Sequence, residues 1–390
     1  MTREILVLNA GSSSIKFALF GGSGFGQRLL QGLISGLGTR PQFSARDGTG
    51  PVEGRLPSRL QDHEAALGWL FGWLQQEKRG GDLAAAGHRV VHGGIDHAAP
   101  VLVDPETLAS LRALVPLAPL HQPHNLAAIE ALSRLRPGLQ QVACFDTAFH
   151  HSQSAVAQRF ALPREYTARG LRRYGFHGLS YEHVADRLPD LLGDHGEGRV
   201  IVAHLGNGAS LCAMRACRSV ATSMGFSTLE GLVMGTRCGS IDPGVLLHLL
   251  RQQSMSVEEL EDLLYRRSGL LGVSGISNDM RTLLASDDPR AAEAVELFAY
   301  RAAQEIAALT VPLQGLDALV FTGGIGEHAA PVRAMICAQL EWMGLRLDAG
   351  ANAAHAPCIS SPGPVSAHVI ATDEEAVIAT HAARLISAGR

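Results

Sequence analysis

The stretch Ile5-Leu-Val-Leu-Asn9-Ala-Gly-Ser-Ser-Ser14-Ile15-Lys-Phe-Ala-Leu-Phe20 decides the reading of the fold. Four apolar residues in a row, closed off by a Gly/Ser turn, read as a strand, and the apolar alternation after the turn reads as a second strand. The same order returns in mid-chain, where residues 200–205 (Val-Ile-Val-Ala-His-Leu) run into Gly206-Asn-Gly-Ala-Ser210 and then Leu211-Cys-Ala-Met214. Gly11 and Gly206 stand 195 residues apart, half of the 390-residue chain. We read this as a weak internal repeat, two related domains each opening with a strand-turn-strand hairpin suited to phosphate. On spacing alone, two Gly-rich hairpins falling there by chance is the competing reading.

Working outward, helices stand between the strands and carry recognisable start signals. Asp104-Pro105-Glu106 places a capping side chain before a first-turn proline, and Ser256-Val-Glu-Glu259 fits a capping box. Asp287-Asp-Pro-Arg opens an Ala-rich helix through Phe298, Ile306 and Leu309 that should end before Pro312. Strands alternating with helices make the chain α/β. Residues 21–54, rich in Gly, Arg and Pro, read as a β excursion on the first sheet. A third glycine cluster, Phe321-Thr-Gly-Gly-Ile-Gly-Glu-His328, follows an apolar strand at 316–321 and precedes a segment, 331–343, that reads as helix. That order presents backbone N–H groups to a nucleotide, although any tight strand-to-helix connection also favours glycine.

Composition sets the outer bounds. A chain of 390 residues is more than one core usually organises, so two domains are expected. With 46% hydrophobic and 18% charged residues and a mean hydropathy of +0.10, disorder on the scale of a domain is excluded. The net charge of −4 offers no general attraction to nucleic acid or anionic lipid, so a bound anion must be held by a local site. No stretch reaches the roughly 18 consecutive apolar residues of a membrane span. The short run at 5–8 reads as a strand rather than the core of a signal peptide, so a cytoplasmic protein is expected. Six cysteines without C-x-x-C or zinc-site spacing read as reduced thiols.

No G-x-x-x-x-G-K-[ST] is present and no G-x-G-x-x-G follows the first strand, which disfavours the two common nucleotide folds. What remains is a chain with three Gly-rich turns, two of them hairpins, as expected where a cleft between two domains holds a triphosphate from both sides.

Asn9-Ala-Gly-Ser-Ser-Ser-Ile-Lys16 and Gly170-Leu-Arg-Arg-Tyr-Gly-Phe-His-Gly178 resemble the two signatures of the acetate kinase family. Gly87-His-Arg-Val-Val-His-Gly-Gly94, Phe145-Asp-Thr-Ala-Phe-His150, His204-Leu-Gly-Asn-Gly-Ala-Ser210, Met234-Gly-Thr-Arg237, Ile276-Ser-Asn-Asp-Met-Arg281 and Thr372-Asp-Glu-Glu375 follow in the order that family shows. The resemblance spans essentially the whole chain. It implies a two-domain, duplicated actin-like (ribonuclease H-like) α/β fold with an interdomain cleft, an N-terminal domain of residues 1–148 plus 376–390, and a nucleotide-binding domain of residues 149–375. It also implies ATP and Mg²⁺ (or Mn²⁺) in the cleft, acetate or another short carboxylate as acceptor, and a homodimer.

Transfer from ATP to a carboxylate joins two anions, so the barrier is charge repulsion and loose positioning rather than a missing base. Cationic clamps and a metal are expected, with no Ser-His-Asp relay. By the resemblance, Arg89 and Arg237 close on the acceptor and on the phosphoryl group in flight, because a guanidinium fork matches both. His177 and Arg237 then stabilise the transition state, with His121 and His204 nearby, and Asp146, at a strand end, orients the acceptor or holds the metal's water shell. Asn9 and Glu374 correspond to metal contacts. Val91, Leu120 and Phe176, with Arg89, form the acceptor pocket. Ser12, Ser14, Lys16, His204, Leu205, Gly206, Asn207 and Gly208 fall in the phosphate-holding segments. Asp279, Met280 and Arg281 with the turn Gly323, Gly324, Ile325, Gly326, Glu327 and His328 would take the ribose and adenine.

The chain departs from the family pattern at five places. Thr228 replaces a common proline near the methyl pocket, Gln122 stands for Asn in His-Asn-Pro, and Leu179-Ser-Tyr181 stands for Thr-Ser-His. Ser240 replaces an Asp, and His328 replaces the Asn of Gly-Glu-Asn. These bear on acceptor length and nucleotide base. The alternatives are a propionate or short-chain acyl kinase and, from another class, a non-catalytic ATP-binding switch protein of the same superfold.

Overall fold

In the computed structural model, which describes residues 3–193 and 197–388, the opening stretch forms two antiparallel strands, β1 (Glu4–Ala10) and β2 (Ser14–Gly21). Ile5, Leu6, Val7 and Leu8 are all buried, as a continuous apolar run requires on a strand covered on both faces. The Gly11 N–H donates to the Ser14 carbonyl at 2.8 Å and closes the turn. The chain then adds β3 (Gln27–Ser35), β4 (Gln42–Asp47) and β5 (Gly50–Val52), the antiparallel excursion expected of residues 21–54. After β6 (Leu83–Val90), β7 (Val101–Leu102) and β8 (Gln141–Phe145) the sheet order is β5-β4-β3-β2-β1-β6-β8-β7, with β6 parallel to β1 and to β8.

A second sheet repeats the plan. Its strands are β9 (Arg199–Leu205), β10 (Ala209–Arg215), β11 (Arg218–Thr222), β12 (Ala318–Thr322) and β13 (Ser366–Val369), in the order β11-β10-β9-β12-β13. As β3-β2-β1 is an antiparallel meander followed by parallel β6 and β8, so β11-β10-β9 is a meander followed by parallel β12 and β13. The repeat inferred from Gly11 and Gly206 is thus a repeat of five strands, and the chain has the duplicated actin-like α/β fold.

The chain divides into two compact units, Met1–Phe149 with Asp373–Arg390, and His150–Thr372. In the first, the helix Glu374–Ala388 packs on β1, β6 and β8. It lies so close that a Cβ on Gly87 would stand 2.4 Å from Ile378 Cγ2. The Asp373 carboxylate accepts from the Ala376 N–H at 3.0 Å and pairs with Arg28, while Glu375 pairs with Lys16 at 2.5 Å. With Glu374 facing Arg89 at 3.7 Å, three ion pairs therefore hold the returning segment to this unit. On the sheet's other face, Phe17 and Phe43 pack against Trp73 of the helix His63–Gln76. In the second unit the helix Pro289–Leu313 buries Phe298, Ala302 and Ile306 and packs against β9, β10 and β11.

Helix starts follow the capping logic. Asp104 accepts from the Thr107 N–H, Ser256 and Glu259 form the capping box, and Asp288 rather than Asp287 caps the long helix. Helix ends differ from the expectation. Pro312 lies inside the last turn, where its missing N–H costs only one bond, and the helix stops two residues later at left-handed Gln314. The expected helix at 331–343 is shorter, Ala330–Ala338, followed by a separate 3₁₀ turn, Glu341–Met343, that ends at Gly344 with φ 89°. Cys212 and Cys337 are unbridged, and burial pushes both thiols up to about 12, leaving them inert. Among the described residues no helix is long and apolar enough to cross a membrane.

Candidate active site

In the first unit, β1, β6 and β8 are adjacent and parallel, so their C-terminal ends line up and deliver Asn9, Arg89 and Asp146 to one edge. Arg89 donates to Asp146 as a fork, Nε to Oδ1 at 2.9 Å and Nη2 to Oδ2 at 2.6 Å, and Nη1 reaches Asn9 Oδ1 at 3.4 Å. Glu374, in the first turn of the last helix, places Oε2 3.7 Å from Arg89 Nε. Asp146 is 1% exposed and Arg89 24%. Burial alone would make Arg89 less basic, but Asp146 and Glu374 outweigh it and hold the guanidinium above its ordinary value. Four residues singled out from sequence therefore form one cluster.

The rest of that unit is built around it. Val91 is buried just past β6, and its N–H donates to Asn125 Oδ1 at 3.0 Å, while Asn125 Nδ2 donates to the Ala10 carbonyl at 2.7 Å. Gln122, fully buried, forks on the backbone of His92, accepting from its N–H at 3.2 Å and donating to its carbonyl at 3.1 Å. Leu120 and His121 are half-buried at the entry to the helix Gln122–Leu135. In the first hairpin the Gly11 carbonyl meets His63 Nε2 at 2.7 Å, Ser12 is exposed and Ser14 half-buried. Lys16, assigned to phosphate from sequence, has its ammonium on Glu375.

The second unit carries the other cluster. The hairpin between β9 and β10 is Gly206-Asn-Gly208, closed by the Gly206 N–H on the Gly208 carbonyl at 3.1 Å. His177 stands at the start of the helix Gly178–Leu192 with φ 58°, unusual for a non-glycine residue, and its Nδ1 is 2.8 Å from Ser210 Oγ. The rings of His177 and His204 stack, with centres 4.4 Å apart. Arg237 Nη1 donates to the Thr228 carbonyl at 2.9 Å. That contact uses backbone, so threonine in place of proline leaves it intact. A Cβ on Gly208 would lie 3.3 Å from His177 Nε2 and 3.7 Å from Arg237 Nη2. One on Gly235 would collide with Asn207 Oδ1 at 1.8 Å, so the glycine makes room for the Asn207 amide. Phe176 is buried in this unit, with its carbonyl on His150 Nε2 at 2.9 Å.

The residues expected to take the nucleoside are more dispersed in character. Asp279 caps the helix Met280–Leu284 and pairs with the exposed Arg281, but Met280 is buried core, as is Leu205 on β9, so each offers only backbone. Gly323–His328 is a short helix rather than an open turn. Gly324 and His328 are exposed and Ile325 half-buried, whereas Gly326 is buried with its carbonyl on Arg333 Nη1 at 2.8 Å. Glu327 does not face outward: Oε1 accepts from the N–H groups of Gly323 at 3.0 Å and Thr372 at 3.2 Å. Arg333, fully buried, and the hydroxyls of Ser180 and Ser210 carry contacts that were not assigned from sequence.

A duplicated actin-like fold whose hairpins display small polar residues, with arginine and histidine beside glycine, defines a phosphate-handling protein of the kinase class. The sequence model of the Acetokinase family matches residues 4–380, and the chain belongs to that family. It is 57% identical over 399 aligned residues to an acetate kinase of Rhodopseudomonas palustris (strain TIE-1), covering 100% of both chains. Among solved structures it is similar to a propionate kinase from Francisella tularensis subsp. tularensis SCHU S4 (38% identity, TM-score 0.92, 97% of this chain and 98% of that one). It is also similar to the Porphyromonas gingivalis acetate kinase (36% identity, TM-score 0.87, 97% and 98%).

Proposed function

We propose that this protein catalyses reversible phosphoryl transfer from ATP to acetate, giving acetyl phosphate and ADP by direct in-line transfer. The observation that carries the reading is the convergence of His177 Nε2 and Arg237 Nη2 on Gly208, a position without a side chain, which sets an imidazole and a guanidinium beside the second hairpin, where an anion would be met. Arg89 binds and orients the acceptor. Of its five N–H donors Asp146 engages two on one edge and Asn9 one, which leaves donors on the opposite edge for a carboxylate. Asp146 keeps that fork in one orientation. Val91 and Leu120, in the same unit as Arg89, meet the acyl methyl; in the second unit Arg237 and His177 meet the phosphoryl oxygens, and the second hairpin with residues 279–281 and 323–328 takes the nucleotide. The acceptor arrives ionised, so no side chain has to remove a proton.

Asn9 and Glu374 both lie within 3.7 Å of Arg89 and offer hard oxygen donors, which suits Mg²⁺ or Mn²⁺. Among the described residues no group of three His, Cys, Asp or Glu could hold a metal, and a magnesium ion that keeps most of its waters does not need one. When bound it would neutralise charge on the β- and γ-phosphates.

Incubation with MgATP and, in turn, acetate, propionate, butyrate or no acceptor, with acyl phosphate trapped by hydroxylamine, tests the reading. Acetate should lead by at least about tenfold in kcat/KM, about 1.4 kcal/mol. A flat or inverted series would move the assignment to a short-chain acyl kinase, the reading favoured by the likeness to a propionate kinase and by Thr228. ATP binding without acyl phosphate from any acceptor would leave a nucleotide switch.

The working form is a cytoplasmic homodimer. The helix Pro243–Gln252 buries none of its residues, and Val245 and Leu247 are 41% and 50% exposed, apolar surface that a second copy would cover. Sedimentation should give twice the 41.3 kDa chain mass, and Leu247→Lys should shift it toward monomer; a monomeric wild type would remove this assignment. Free thiols suit a reducing compartment, and fractionation that places the protein outside the cytoplasm would overturn that part.

A further inference from the structure

The stacked imidazoles of His177 and His204 each rest Nδ1 on a fully buried serine hydroxyl, His177 on Ser210 and His204 on Ser180, both at 2.8 Å. Behind each serine stands a second hydroxyl. Tyr181 Oη is 2.5 Å from Ser210 Oγ, and Thr372 Oγ1 donates to Ser180 Oγ at 2.8 Å. A serine hydroxyl has one proton to give. Tyr181 is fully buried, burial pushes its phenol well above the ordinary value, and a phenol is a stronger donor than an alcohol, so it keeps its proton and donates to Ser210. The Ser210 proton then points at His177 Nδ1, and by the same order from Thr372 the Ser180 proton points at His204 Nδ1. A neutral imidazole that accepts at Nδ1 carries its proton on Nε2.

Both Nε2 atoms end at the second hairpin. A Cβ on Gly208 would lie 3.3 Å from His177 Nε2, and one on Gly206 would lie 4.0 Å from His204 Nε2. We propose that Tyr181, through Ser210, and Thr372, through Ser180, are positioning residues that hold His177 and His204 as neutral Nε2–H tautomers, supplying the Gly206–Gly208 hairpin with two fixed donors for phosphoryl oxygens. The inference deepens the phosphoryl-transfer reading and rests on it for the identity of the anion. Two imidazolium rings stacked at 4.4 Å would repel, whereas two neutral rings stack freely and are aimed before the substrate arrives. Tyr181 is also where the chain departs from the family's histidine. A histidine there accepts or donates according to its own tautomer, while a buried tyrosine only has to donate.

The test is the ¹⁵N spectrum of the labelled, full-length, ligand-free protein near neutral pH, with His177 and His204 assigned by the signals lost in His177→Gln and His204→Gln. Both rings should show an unprotonated Nδ1 and a protonated Nε2. In Tyr181→Phe, which keeps the ring volume, His177 should pass to a mixture of tautomers while His204 is unchanged, and kcat should fall about tenfold with KM for acetate unaltered. An Nδ1–H tautomer or an imidazolium at His177 in the wild type overturns the proposal, and so does a His177 signal indifferent to Tyr181→Phe. The wild-type spectrum decides even if the variant does not fold. Because it needs no turnover, a protein that makes no acyl phosphate yet shows these tautomers would lose the functional reading and keep the hydroxyl relay.

Discussion

Arg89→Ala should cut turnover by about a thousandfold or more, about 4 kcal/mol of transition-state stabilisation. The side chain is cationic at every pH at which the protein folds, since Asp146 and Glu374 raise its basicity further, and a planar fork is what the acceptor carboxylate and the transferring group both fit. The same substitution removes the Arg89 counter-charge from Asp146, which is 1% exposed. Removing one member of a buried pair costs about 3–5 kcal/mol, so the thermal midpoint should fall with the activity. Arg89→Lys separates the two effects. An ammonium keeps a positive charge beside Asp146 but has no second edge to offer, so most of the stability should return while turnover stays about a hundredfold down. Steady-state kinetics beside thermal melts of both variants decide it, and wild-type turnover in either one would remove Arg89 from the chemistry.

What could be read from the sequence and what could not divides along a physical line. The hairpins at Gly11 and Gly206 were legible because an apolar run ending in a Gly/Ser turn is a local signal, and each lies in the antiparallel part of its sheet. Asp146 was legible as a strand-end residue, and parallel pairing of β6 with β8 puts it beside Arg89. Contacts set by remote partners were not legible. Lys16 sits in a motif that suggests phosphate, yet Glu375, 359 positions away, holds its ammonium. Glu327 falls in a turn read as taking the ribose and adenine, but its carboxylate caps its own helix and accepts from the Thr372 N–H. Met280 lies in a motif and in the core at once, because a helix of five residues has to bury one side. The serines that support the histidines gave no signal, since a hydroxyl one turn or one strand away has no periodicity of its own.

Arg237→Ala and Gly208→Ala should each lower turnover by about a hundredfold to a thousandfold, for opposite structural reasons. The first removes a guanidinium whose Nη2 stands beside Gly208 and whose Nη1 is fixed on the Thr228 carbonyl. The second removes nothing and changes no charge. Gly208 is absent from the left-handed region, so alanine meets no backbone strain there, and the new methyl would press only on His177 Nε2 at 3.3 Å and approach Arg237 Nη2 at 3.7 Å. The thermal midpoint of Gly208→Ala should therefore stay close to wild type while KM for ATP rises and kcat falls, because the methyl fills the volume assigned to the anion. If the glycine served only the hairpin's fold, activity and stability would fall together; if the anion binds elsewhere, neither would move. A large loss of turnover at unchanged stability is the result that requires phosphoryl oxygens at this point, and wild-type kinetics in Gly208→Ala would refute the placement even if Arg237→Ala proved inactive.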